Sequence, residues 1–208
     1  DHARALVEAV RSGELEEGCV NEAASHIERL ARRVKACQAE GSIGGAPALS
    51  LTDEEFYRAH ADLAREAAAQ SAVLLKNDGA LPLKSSGRIA FIGAFAETPR
   101  YQGGGSSHIH PSRVTSAWEV AQQKGRNVCY AKGFSAMRDE MTDAELAEAI
   151  QAAQNADVAV VFAGLPESFE SEGYDRTSME LPACQNRLID EIAKVQPHVV
   201  VVLHNGSA

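Results

Sequence analysis

The sequence predicts an α/β fold: a mostly parallel sheet covered by helices on both faces, with a helical segment ahead of it. Three observations carry that expectation. Four short, near-continuous apolar runs, at 88–93, 127–131, 158–162 and 198–203, alternate with longer stretches of helical period. Apolar runs without alternation suit strands buried on both faces, and such strands pair in parallel through crossover helices. Two long loops, 94–111 and 164–182, follow the first and third runs and hold the least ordinary residues of the chain. In an open parallel sheet, ligands bind beyond the carboxyl ends of the strands.

The N-terminal part reads as helices. Leu6, Val7 and Val10 share a face over 1–11, and Ser12-Gly13 breaks the pattern. Over 16–38, Val20, Ile27, Leu30, Ala31, Val34 and Cys37 recur at helical spacing, with Arg29, Arg32, Arg33 and Lys35 outside the stripe. The run 39–51 is rich in Gly, Pro and small residues and is expected as a linker. Thr52 and Glu55 have the spacing of a capping box, opening a helix expected to reach Leu75. Asn77-Asp78-Gly79 marks a turn, and Leu81-Pro82-Leu83 an extended apolar anchor. After the first strand and its loop, a helix is expected over 112–124, then the second strand. Thr142 and Glu145 form another capping box, opening a helix to Asn155. The third strand, a helix over 183–195 and the fourth strand complete the pattern.

The 208 residues suffice for one large or two small domains, and 45% hydrophobic with 24% charged residues is ordinary for a globular chain. A net charge of -9 argues against nucleic acid and against an anionic membrane as partners, since both call for a positive face. No apolar run is long enough to span a bilayer. The chain opens within a helical pattern and stops just after a strand, which reads as a piece of a longer protein. Cys19, Cys37, Cys129 and Cys184 include no CxxC pair and no zinc spacing. Buried free thiols are expected, which favours a reducing compartment and a cytoplasmic location.

The second long loop contains Leu165-Pro166-Glu167-Ser168-Phe169-Glu170-Ser171-Glu172-Gly173-Tyr174-Asp175-Arg176. A solvated acidic loop would have this composition too, but its place after a buried strand points to chemistry. A carboxylic acid donates a proton near neutral pH only if burial or a like charge raises its pKa. Glu167, Glu170 and Glu172 can be such neighbours for one another, and Phe169 and Tyr174 could supply an apolar wall or a platform for a sugar face. Asp175 and Arg176 are expected to pair, either holding the loop or facing solvent. The first long loop contains Tyr101-Gln102-Gly103-Gly104-Gly105-Ser106-Ser107-His108. Its glycines allow close backbone approach and its hydroxyls offer donors, which suggests an anion or sugar cradle; a flexible surface turn would look the same. It lacks the GxGxxG spacing and the Lys-Ser/Thr of phosphate loops. His108 and His110 have no third ligand in sight, so no metal is expected. Ser106, Ser107 and His108 adjoin in sequence and make no nucleophile triad.

In order and spacing, Lys76-Asn77-Asp78-Gly79, Leu81-Pro82-Leu83, Ile92-Gly93, Gly103-Gly104-Gly105-Ser106-Ser107, Glu170-Ser171-Glu172-Gly173-Tyr174-Asp175-Arg176 and Leu181-Pro182 resemble glycoside hydrolase family 3, the β-glucosidase family. Leu6 to Gly13, with Leu15, is similar to that family's Ala-Val-x-x-Gly-x-Leu pattern. The resemblance implies that 1–38 are the closing helices of a TIM-type barrel, 39–51 a linker and 52–208 most of an (α/β)6-sandwich domain, cut short at its C-terminus. It implies retaining, exo-acting hydrolysis of terminal non-reducing β-D-glucosyl residues by an aspartate nucleophile and a glutamate acid/base. The family's aspartate belongs to a Ser-Asp-Trp-like barrel motif that this chain lacks; its Trp118 stands in a helical pattern. The acid/base is implied on 167–176: Glu170 first, because Phe169 precedes it and could desolvate it, then Glu172, then Glu167. Phe169, Tyr174, Arg176, Gly104, Ser106, Ser107 and His108 are expected to shape the substrate pocket.

No cofactor is implied. A β-glucoside or oligosaccharide substrate and the barrel of the same protein are the expected partners, and homo-oligomer formation stays open. Without its nucleophile, the fragment alone is expected to be inactive. The competing reading is a non-catalytic carbohydrate-binding or interaction module of α/β fold; a nucleotide-binding domain is disfavoured by the failed glycine spacing.

Overall fold

The computed structural model describes residues 2–39 and 53–206. The chain divides into two compact units between Ala72 and Val73. The first is helical. α1 (His2–Ser12) and α2 (Glu17–Ala39) are joined at Gly13, whose φ of 77° lies in the left-handed region that glycine tolerates. Glu14 and Leu15 both donate their N–H to Ala9 O there, satisfying an orphan carbonyl at the end of α1. The apolar residues Leu6, Val7, Ile27, Leu30 and Val34 of these helices are exposed.

α3 runs from Asp53 to Ser71 and groups with this first unit, whereas the sequence reading placed it with the sheet. The expected Thr52 cap lies outside the described residues, as does the expected linker apart from Ala39. α3 also stops short of the expected Leu75. Val73, Leu74 and Leu75 lie outside any helix, because an apolar run suits an extended chain as well as a helical one. Asn77 then organises the turn: its side-chain oxygen accepts from the N–H of Gly79 at 3.0 Å and of Leu81 at 3.1 Å, and its Nδ2 donates to Leu81 O at 2.9 Å. The Leu81-Pro82 peptide is cis, and Leu83 packs against the core of the second unit.

The second unit is the expected α/β sheet. β1 (Ile89–Ile92), β2 (Val128–Ala131), β3 (Val158–Gly164) and β4 (Val199–His204) are all parallel, in the order β2-β1-β3-β4. Ile92 pairs with Ala131 on one side and with Val161 on the other. Three helices connect the strands: α4 (Ala117–Gln123), α5 (Asp143–Gln154) and α6 (Ala183–Val195). The chain steps one way from β1 to β2, and the other way to β3 and on to β4. Right-handed crossovers therefore put α4 on one face and α5 with α6 on the other, and α5 packs against α6.

The core forms around β1 and β3. Ile92, Ala159, Val161 and Ala163 are fully buried, and the rings of Phe91 and Phe162 meet edge-on at 4.9 Å between centroids. Val201 and Leu203, on one face of β4, are exposed.

Helix starts follow their caps. α5 begins with the expected box: Thr142 Oγ1 accepts from Glu145 N–H at 3.1 Å, and the Glu145 carboxylate accepts from Thr142 N–H at 2.8 Å. α4 starts later than the expected 112, because Ser116 is its cap, accepting from Glu119 N–H at 3.0 Å. α6 is capped from a distance. Pro182 at its N-cap offers no acceptor side chain, and the Asp139 carboxylate instead takes the N–H of Ala183 at 2.9 Å and of Cys184 at 2.8 Å. The cysteines are free, as expected, but none is fully buried. Cys19 and Cys37 are exposed on α2, and Cys129 and Cys184 are half-buried.

Candidate active site

The strand order creates a topological switch between β1 and β3. The chain leaves β1 toward β2 and leaves β3 toward β4 on the opposite side, so the two loops beyond their carboxyl ends bound a crevice. These are the two loops singled out from the sequence, and the structure joins them. Gly104 bridges to Ser171 in parallel fashion, and Glu172 N–H donates to Gly104 O at 3.3 Å. The approach requires glycine, since a Cβ on Gly104 would stand 2.6 Å from Ser171 Oγ.

Three side-chain links reinforce the backbone contact. Arg100, absent from the sequence-based candidates, is the innermost. Its Nη1 donates to Glu170 Oε2 at 2.7 Å and to Leu165 O at 2.6 Å, and its Nη2 donates to Glu170 O at 2.9 Å. The side chains of Arg100 and Glu170 are only 10% and 26% exposed. Gly206, just past β4, adds its N–H to Glu170 Oε2 at 3.1 Å. Burial pushes the Glu170 carboxyl up, but the Arg100 guanidinium and the Gly206 N–H outweigh it and hold the group below the usual carboxylate range. Arg100 had one sequence signal: it is the sole cation of the 94–107 stretch, immediately before the glycine-rich segment.

Glu172 is held differently. Its Oε2 accepts from the Ser106 hydroxyl and, at 3.0 Å, from Ser106 N–H. These bonds, the hydroxyl's first, lower its pKa, although the residue is exposed. Both bonds fall on Oε2. The third link joins His108 Nε2 and Glu167 Oε1 at 2.7 Å, with both side chains over 40% exposed, at 44% and 42%.

The remaining candidates serve the loops themselves. Tyr174 keeps an exposed ring while its hydroxyl donates to Glu167 O at 2.7 Å. Phe169 is half-buried in a turn in which its N–H donates to Pro166 O at 2.9 Å. Ser107 Oγ donates to Gly103 O at 3.1 Å. Arg176 does not pair with Asp175 as expected; its Nε donates to Ser178 O at 3.2 Å, closing a local turn. Among the described residues, no group of three His, Cys, Asp or Glu side chains could hold a metal ion.

Three carboxylates thus stand at one crevice in three electrostatic settings: Glu170 against a permanent cation, Glu167 against an imidazole, and Glu172 against an uncharged hydroxyl. Glu172 is exposed, and its carboxylate bonds an uncharged serine.

Comparison with known proteins bears on this arrangement. The family described as the glycosyl hydrolase family 3 C-terminal domain matches residues 72–208. The chain is 47% identical over 206 residues to thermostable beta-glucosidase B of Acetivibrio thermocellus, covering 97% of this chain and 26% of that protein. It is 43% identical over 171 residues to an exo-alpha-(1->6)-L-arabinopyranosidase of Bifidobacterium longum, covering 77% of this chain and 23% of that protein. Among solved structures, a GH3 beta-glucosidase of Bifidobacterium adolescentis matches with a TM-score of 0.71 at 38% identity, over 96% of this chain and 28% of that one. The chain therefore spans about a quarter of the length of these relatives.

Proposed function

Since the chain belongs to glycosyl hydrolase family 3, we propose that it forms part of a retaining, exo-acting β-glycosidase of β-glucosidase type. In this reading its second long loop supplies the general acid/base, and Glu172 is that residue. The relative with 47% identity is a β-glucosidase, which supports a terminal β-glucoside as the substrate.

One observation carries the choice of carboxylate. Glu170 is committed to Arg100, a cation at every accessible pH, which opposes its protonation. An acid/base must gain and lose a proton in each cycle. Glu172 faces only the neutral Ser106, and a bound sugar would add the desolvation that raises a carboxyl pKa. The order expected from sequence, Glu170 before Glu172, is therefore reversed in this proposal, and Glu170 becomes a brace of the loop.

The reaction runs in two steps. Protonated Glu172 gives its proton to the glycosidic oxygen as the bond to the anomeric carbon breaks and the bonding pair stays on that oxygen. A carboxylate from another part of the whole protein attacks the anomeric carbon. Ionised Glu172 then takes a proton from the water that displaces this carboxylate. Without that second carboxylate, the 208-residue chain by itself does not turn over substrate.

The test uses the whole protein with Glu167, Glu170 or Glu172 changed to Ala. Glu172→Ala is expected to lose roughly a hundred- to ten-thousandfold on glycosides with poor leaving groups, far less on activated aryl β-glucosides. Azide, which attacks the intermediate without a general base, should restore turnover on activated substrates. Rescue of Glu170→Ala rather than Glu172→Ala would sink the assignment.

A further inference from the structure

Glu172 is gripped on both its backbone and its side chain by one turn of the opposite loop. Its N–H donates to Gly104 O at 3.3 Å, while its Oε2 accepts from the N–H and the hydroxyl of Ser106. At Gly105, where φ is 86°, an added Cβ would meet the Cβ of Glu172 at 3.0 Å, so turn backbone and carboxylate stem lie in direct contact. The turn is itself fixed: Ser107 Oγ donates to Gly103 O at 3.1 Å and His108 N–H to Gly105 O at 3.2 Å. Of the other charges of the two loops, several have partners away from Glu172, and Arg176 also acts on Glu170. Arg100 pairs with Glu170, His108 with Glu167, Arg176 bonds Ser178 O, and Asp175 is exposed.

A backbone N–H can only donate, so it keeps Oε2 an acceptor whether or not the carboxyl is protonated. A hydroxyl is free to donate to the carboxylate or to accept from the acid. An oxygen already receiving two donors is the weaker base of the pair. We infer that Ser106 is the positioning residue of the acid/base: it anchors Oε2 of Glu172 and leaves Oε1 to carry the proton that moves to the leaving group and back from water. This rests on the reading of Glu172 as acid/base. The substrate need not touch Ser106, which acts through the carboxylate.

The experiment compares Ser106→Ala, Ser106→Thr and Glu172→Ala with the unaltered whole protein, on aryl β-glucosides of good and poor leaving groups across pH. The hydroxyl favours the ionised form, so its removal in Ser106→Ala moves the alkaline limb of kcat/KM to higher pH. The freed carboxyl is also less well aimed, so turnover of poor leaving groups falls about tenfold. Ser106→Thr keeps the hydroxyl and restores both. A purely structural role would lower the melting temperature without moving the limb. If Ser106→Ala leaves the limb and the leaving-group dependence unchanged while azide rescues Glu172→Ala, the positioning role is overturned and the acid/base reading stands. If azide fails to rescue Glu172→Ala, both fall.

Discussion

Arg100 decides what Glu170 can do. A nearly buried guanidinium with bonds to a carboxylate and two carbonyls fixes the geometry of both loops, and removing it would strand a half-buried carboxylate. Arg100→Met is expected to cost about 3 kcal/mol in urea denaturation, and adding Glu170→Met should recover part of it, because the stranded charge disappears. The loss should depend on pH with a definite sign. The folded pKa of Glu170 lies below its ordinary 4.5. Between those two values the unfolded chain binds more protons. The pair's contribution is therefore whole above the unfolded value and drains away as pH falls through the folded one. The gap between the unaltered protein and Arg100→Met should close on acidification; a gap that widens in acid would count against the pair. Sequence alone marked Glu170 as a candidate but could not reveal its partner, because Arg100 lies 70 residues away and the pairing exists only once β1 and β3 are neighbours.

At the level of elements, local signals were legible and remote ones were not. The Thr142–Glu145 box could be read because both partners lie within one helical turn. The cap of α6 could not, since its acceptor, Asp139, comes from the segment after β2 and reaches Ala183 across 44 residues. The end of α3 was misplaced for a related reason: apolar Val73, Leu74 and Leu75 continue a helical stripe on paper, but Asn77 builds a turn and the chain extends toward Leu83. Asp139 gives an element-scale prediction. Its substitution by Ala removes the side chain that satisfies two N–H groups at the start of α6, and should cost about 1 to 2 kcal/mol. Burial raises the Asp139 carboxyl, but the N–H groups of Cys184 and Ala183 prevail and hold it below its ordinary 3.8. The cap is thus intact above the unfolded pKa and lost as pH falls through the folded value. Denaturation curves of the protein and of Asp139→Ala should converge in strong acid and separate at neutral pH. A constant separation would mean that the carboxylate is not the cap.

For the molecule as a whole, the sheet was legible because burial on both faces writes itself as unbroken apolar runs, and the position of the site was legible because parallel topology fixes where strands end. Strand order was not. Nothing in the four runs says that β1 and β3, rather than β1 and β2, flank the switch, yet that order is what sets Glu172 against Ser106 and Glu170 against Arg100. The order has a dynamic consequence. β3 is hydrogen-bonded on both sides and buried along almost its whole length. Opening β3 should therefore need near-global unfolding of the sheet. In amide exchange, 158–164 is expected to be protected longest. The loops 94–111 and 164–182 should exchange sooner and should behave as one unit, because each is closed by the other. Arg100→Met should then speed exchange in both loops together while β3 keeps its rank. Faster exchange in one loop alone would show that the two sides of the crevice are held independently, and that the clamp is not what presents the acid/base.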